Sequence, residues 1–113
     1  MKNFDIKEFD CQETSENRMQ PKFLQKIDML RDACGFPFVI TSGYRSPSHS
    51  LEREKPKAGT HAQGIAADIM VKDGVQRAQI VESAIALGFN GIGVAKTFVH
   101  VDVRKGKRVI WSY

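Results

Sequence analysis

Gly59-Thr60-His61-Ala62-Gln63-Gly64-Ile65-Ala66-Ala67-Asp68-Ile69-Met70 is the stretch that decides the fold. From Ile65 to Val71 the chain is apolar except for one carboxylate. Read as a strand, it points Ala66, Asp68 and Met70 to one face and Ile65, Ala67 and Ile69 to the other. A carboxylate in so apolar a strand is costly to bury unless it is paired or bound to a metal, so Asp68 needs a partner. Gly64 and Ala66 lack bulk and let the backbone come close to an ion. The partners are offered by His61, just upstream, and by Phe98-Val99-His100-Val101-Asp102-Val103, where the same alternation sets His100 and Asp102 beside Phe98 on one face and three valines on the other. Singly, a strand histidine is commonly a hydrogen-bonded structural residue, and Asp102 can pair with Arg104. Together, His61, Asp68 and His100 have an economical explanation in a shared cation. Two imidazoles and a carboxylate suit zinc, and iron or manganese can bind the same set. Three protein ligands leave a fourth position open, as in catalytic rather than structural zinc sites.

Upstream, residues 1–19 mix Phe4, Ile6 and Phe9 with polar residues and read as a lead-in that pins aromatic side chains onto a core. Pro21 suits a first helical turn, and Phe23, Leu24, Ile27, Leu30 and Cys34 recur at helical spacing until Gly35 stops the helix and Pro37 prevents its resumption. Residues 36–42 are β-branched and aromatic and predict a buried strand ending at Gly43. Residues 46–60 predict a long polar loop leading to His61, and a loop of that length in a small domain is usually functional. Downstream, Asp73 and Gln76 resemble a capping box opening a second helix, which carries Ile80, Val81, Ala84, Ile85 and Leu87 and ends at Gly88. Strands are predicted near 91–95, 98–103 and 109–111. The order predicts an α+β fold, a small and largely antiparallel sheet flanked by helices, in one domain spanning 1–113.

With 113 residues, 42% hydrophobic and 27% charged, the composition is that of an ordinary globular chain. The net charge of +4 favours anionic partners without choosing among them. Its one basic cluster, residues 104–108, reads as a solvated turn, and no basic stripe interleaved with aromatics supports nucleic-acid binding. Cys11 and Cys34 have neither metal-knot nor disulfide-framework spacing. No apolar run approaches a membrane span and the first residues lack a signal-peptide core, so the expectation is a soluble protein made in a cytoplasm, without membrane insertion; a monomer is expected.

Three ordered motifs, Ser42-Gly43-Tyr44-Arg45-Ser46, then His61-x-x-Gly64-x-Ala66-x-Asp68, then His100-Val101-Asp102, resemble the signature of the M15 zinc peptidases. That family includes D-alanyl-D-alanine carboxypeptidases and phage L-alanyl-D-glutamate endopeptidases, with a fold similar to the hedgehog signalling domain. The resemblance covers the chain from the first helix to Trp111. It implies a Zn2+ cofactor held by His61, Asp68 and His100, and Arg45 at the mouth of the site, binding a substrate carboxylate or a developing oxyanion. Ser42 and Tyr44 would support the site through hydrogen bonds, with packing the alternative for Tyr44, and His49, in the loop, reads either as a solvent-facing residue or as a group that polarises substrate.

One position departs from the pattern. Many members carry an acidic general base three residues before the last histidine ligand, and here Thr97 stands there, whose hydroxyl cannot take that proton at neutral pH. Asp102 is the expected substitute, either as proton carrier or as a partner holding a ligand imidazole in its tautomer. The resemblance thus implies hydrolysis of a peptide bond in bacterial peptidoglycan, by an endolysin or carboxypeptidase type of enzyme reaching the wall after release from the cytoplasm. The alternative is a catalytically inactive zinc-containing module that binds the wall or builds a virion.

Overall fold

A computed structural model describes residues 1–113. A 3-10 turn at Ile6–Phe9, capped by Asp5 and Glu8, leads to helix α1 (Pro21–Cys34) and strand β1 (Ile40–Ser42). Strand β2 (Ala66–Met70), helix α2 (Gly74–Ala86) and strands β3 (Gly91–Val94), β4 (Phe98–Asp102) and β5 (Val109–Ser112) complete the chain. The fold is α+β. The strands form one sheet in the order β1-β2-β4-β3-β5, antiparallel throughout except that β5 runs parallel to β3.

The helices begin and end where their residues dictate. Pro21 occupies the first turn of α1, and Gly35 closes it in the left-handed region at φ 75°. Asp73 accepts from the Gln76 amide at 2.9 Å, while the Gln76 side chain reaches back one residue further than a standard box, to the Lys72 amide. The first strand is shorter than the predicted 36–42. Pro37 has no N–H to give to a ladder, and Phe36 and Phe38 instead pack on each other and, through Phe38, on Phe4. Phe4 and Phe9 are pinned to the core, whereas Ile6 stays exposed.

Strand alternation divides the sheet into two unlike faces. Ala67, Ile69, Ile92, Val99 and Val101 are fully buried, in one core with Phe23, Ile27, Leu30, Ile80, Ala84 and Phe89 from the helix side. This face makes the hydrophobic contribution to stability, on the order of 1.5–3 kcal/mol for each large apolar side chain fully buried. On the opposite face one transverse row crosses all five strands in register: Ser42, Asp68, His100, Gly93, Trp111. A second row sets Ala66 beside Asp102, Gly91 and Val109. The segment between β1 and β2 is a series of turns rather than a structureless loop, with amide to carbonyl bonds such as Glu52 to His49 and Lys55 to Glu52.

Candidate metal centre

Asp68 and His100 are directly opposed on β2 and β4, which brings their side chains together without help from any loop. His61 arrives from the turn before β2. There Gly64, at φ 74°, reverses the chain so closely against the Arg18 carbonyl that any side chain would collide with it. The His61 Nδ1 donates to the Gly43 carbonyl at 2.8 Å, leaving Nε2 3.3 Å from Asp68 Oδ1. His100 is turned the other way round: its Nε2 donates to Asp102 Oδ2 at 2.7 Å, and its Nδ1 lies 3.1 Å from the same Asp68 oxygen. One atom each from His61, Asp68 and His100 falls within 4.8 Å of the others, and all three residues are buried.

The donor set fits a divalent cation. Each imidazole has its outward nitrogen committed as a donor, so in the neutral ring the inward nitrogen carries a lone pair. Both inward nitrogens converge on one carboxylate oxygen, which only a proton on an imidazole or a cation between them can satisfy. The electrostatics without metal agree. Burial pushes the Asp68 carboxyl up, but hydrogen bonds and charge from His100 and His61 outweigh it and hold it down to about 2. Burial pulls His100 down, and its bonds to Asp102 and Asp68 more than reverse this and raise it above its ordinary value.

These residues open onto a cleft of about 570 Å³. Phe98, Trp111 and Tyr113 make an aromatic wall, and Arg45, Lys55 and Arg104 bring three cations, against which Asp68 is the lining's carboxylate. Arg45 sits with one Nη 3.9 Å from Asp68 Oδ2 and the other 3.9 Å from Glu52 Oε2, and its guanidinium makes no hydrogen bond within the protein. Glu52 is buried behind it, accepting from the Gly59 amide at 3.0 Å and from Lys55 Nζ at 2.6 Å.

The other residues singled out from sequence are placed differently. Asp102 is fully buried and does not line the cleft, and its oxygens accept from His100, from the Arg104 amide and from the Arg104 guanidinium. Burial pushes this carboxyl up, but the bonds from His100 and Arg104 more than reverse that and hold it well below its usual range, and the geometry is that of the second of its two expected roles, a partner holding the His100 ring. Tyr44 is buried in the hydrophobic core and does not line the cleft. Ser42 is half-buried beside Asp68 in the row but does not line the cleft. His49 is also outside the cleft: its Nε2 lies 3.1 Å from Glu13 Oε2 and its Nδ1 accepts from the Leu51 amide. The basic cluster is the expected turn between two strands, exposed over residues 105–108, and within it Arg104 grips Asp102 while Arg108 donates to the Phe89 and Ile85 carbonyls.

Sequence reading missed Glu52 and Lys55, and it named Arg104 as a partner of Asp102 without placing it in the cleft. The i,i+3 spacing of the first two and the i+2 strand position of Arg104 after Asp102 were the available signals. A family model described as Peptidase M15 matches residues 2–102. No curated protein matches the chain.

Proposed function

Because the chain belongs to the M15 peptidase family, we propose that this peptidase is zinc-dependent and hydrolyses a peptide bond in the stem peptides of bacterial peptidoglycan. The observation that carries this reading is the convergence of His61 Nε2, Asp68 Oδ1 and His100 Nδ1, each outward nitrogen already committed, at the floor of a cationic cleft. Zinc held by those atoms supplies Lewis acidity towards a carbonyl and brings the pKa of a bound water to near 7.

The chain's own residues do the rest. Arg45 has its donors free and presents them in a fixed fork, suited to a carboxylate or to a carbonyl oxygen gaining charge. Glu52, behind it, holds the guanidinium in place with Lys55 and without a hydrogen bond that substrate would have to break. Stem peptides carry carboxylates, which the three cations of the lining and the net charge of +4 attract. Phe98, Trp111 and Tyr113 give the cleft an aromatic wall.

A second reading is favoured by one observation: the lining offers no carboxylate besides Asp68, so a zinc-loaded wall-binding module without turnover fits the same cleft. Incubation of the purified protein with cross-linked peptidoglycan separates the two. New amino termini that vanish with a chelator and return with zinc support the peptidase. Wall binding by the zinc-loaded protein with no new termini overturns it in favour of the binding module.

A further inference from the structure

We propose that Arg104 is a positioning residue: by gripping Asp102 and lying against Trp111, it fixes the ring of His100 so that Nδ1 faces the metal, and it joins the metal ligand to the aromatic wall of the cleft. This rests on the zinc reading above. Asp102 Oδ2 accepts from His100 Nε2 at 2.7 Å, and that same oxygen accepts from Arg104 Nη2 at 2.7 Å. The other oxygen takes the Arg104 amide and Nε, both at 3.0 Å. The carboxylate is thereby held from two sides, and its rotation is closed off.

A buried carboxylate without a counter-charge is costly, and Arg104 is its only cation within salt-bridge distance besides the His100 ring. The guanidinium lies over the Trp111 ring at 4.9 Å, and the Trp111 ring is 5.1 Å from that of His100. Arg104, Trp111, His100 and Asp102 close into a ring of contacts in which three members, Arg104, Trp111 and His100, also line the cleft.

The sheet has been cleared for this device. Gly91 is the cross-strand partner of Asp102 and Gly93 that of both His100 and Trp111. A Cβ at Gly91 would collide with the Asp102 carboxylate, and one at Gly93 would stand 2.7 Å from Trp111 Cε2. Neither glycine has a positive φ, so backbone conformation does not demand it. What demands it is the volume of the two side chains lying across β3. Asn90, whose side chain donates to the Arg104 and Gly106 carbonyls at 3.0 and 2.9 Å, pins the turn that delivers Arg104.

The test measures zinc affinity by competition with a chromophoric chelator, and the visible spectrum of the cobalt-substituted protein, in wild type, Arg104→Ala, Arg104→Lys, Gly91→Ala and a Lys105→Ala control. Loss of partners of a metal-ligating histidine lowers affinity roughly 10- to 100-fold, and Arg104→Ala is expected at the lower end of that range with an altered cobalt spectrum. Arg104→Lys restores the counter-charge but not the fork, and is expected between Ala and wild type. Gly91→Ala displaces the carboxylate and should reproduce the affinity loss although it touches neither metal nor cleft; if it does not fold, the arginine pair decides. Arg104→Ala with zinc affinity within twofold of wild type and an unchanged cobalt spectrum, whatever its thermal stability, overturns the inference. A wild-type protein that binds no zinc overturns the metal reading itself and this one with it, so the two failures are distinguishable.

Discussion

Asp68 and His100 face each other across a regular antiparallel ladder, whereas His61 and Arg45 come from the turns between β1 and β2, and the two halves of the site are held by different forces. Behind the ladder half lies the hydrophobic core, with Ala67, Ile69, Val99 and Val101 fully buried on the reverse face of the same two strands. The turn half is held by polar contacts: the Gly43 carbonyl on His61, Glu52 on Gly59 and Lys55, and Glu13 on Ser50 and His49. The difference teaches a division of labour. Metal ligands need positions fixed to fractions of an ångström, which the packed sheet provides for Asp68 and His100, and which the bond to the Gly43 carbonyl beside the close turn at Gly64 provides for His61. Substrate contacts on turns can adjust to what enters the cleft.

The largest effect is expected from breaking the ladder half. Asp68→Ala removes the only negative ligand, on which both imidazoles converge, and zinc content measured by elemental analysis should fall to background together with all peptidase activity. Stoichiometric zinc in that variant would mean that the ladder does not hold the metal. Breaking the turn half should act differently. Arg45→Ala is expected to lower kcat/KM by about 100- to 1000-fold, the usual cost of a lost oxyanion donor, at unchanged zinc content. Arg45→Lys should stay impaired, because a single ammonium cannot reproduce the fork. Equal loss of zinc in both variants would erase the distinction between the halves.

The same division explains what could be read from the chain. The ladder half was legible because strand alternation converts residue order directly into faces: Asp68 and His100 stand as isolated polar residues among Ala67, Ile69, Val99 and Val101, and the pattern has no other economical reading. The helices were legible from Pro21, Gly35, Asp73 and Gly88, whose backbone preferences are local. The turn half was not. Whether Tyr44 points into the cleft or the core, and whether His49 faces substrate or Glu13, depends on how turns pack against the lead-in, and no local periodicity records it. Asp102 was put on the correct face, but its burial could not be seen, because it follows from Gly91 on the neighbouring strand and from an arginine in the next turn. The pairing of β5 with β3, which sets Trp111 beside Gly93, is parallel, a direction that no periodicity in either strand records.

Titration sharpens the comparison, because it acts on the ladder half in opposite directions with and without metal. In the metal-free protein the folded-state pKa of His100 is raised above its ordinary 6.5. The corresponding stability is fully present below the unfolded value and is lost as pH rises through the folded one. Zinc needs the neutral imidazole, so below the raised pKa its affinity should fall by about tenfold per pH unit for the one proton displaced. Melting curves recorded from pH 6 upward should therefore show stability declining in chelator and, at fixed zinc, the gain over the chelated protein growing. Parallel pH dependence under both conditions would remove His100 from the metal-linked proton.

The smallest effect is expected at the outermost clasp of the turn half. Glu13 accepts from the Ser50 amide at 3.0 Å and from its hydroxyl at 2.6 Å, and stands 3.1 Å from His49 Nε2, so one carboxylate ties the lead-in to the start of the 46–60 segment. Glu13 is solvent-facing, and Arg45 is held separately through Glu52, so the clasp limits excursions of the segment without setting its resting position. Glu13→Ala should therefore leave zinc content and kcat unchanged, raise KM modestly, and increase several-fold the rate of limited proteolysis between residues 46 and 60. Loss of zinc in this variant would show that the clasp reaches through the turns to His61, and that the two halves of the site are one mechanical unit after all.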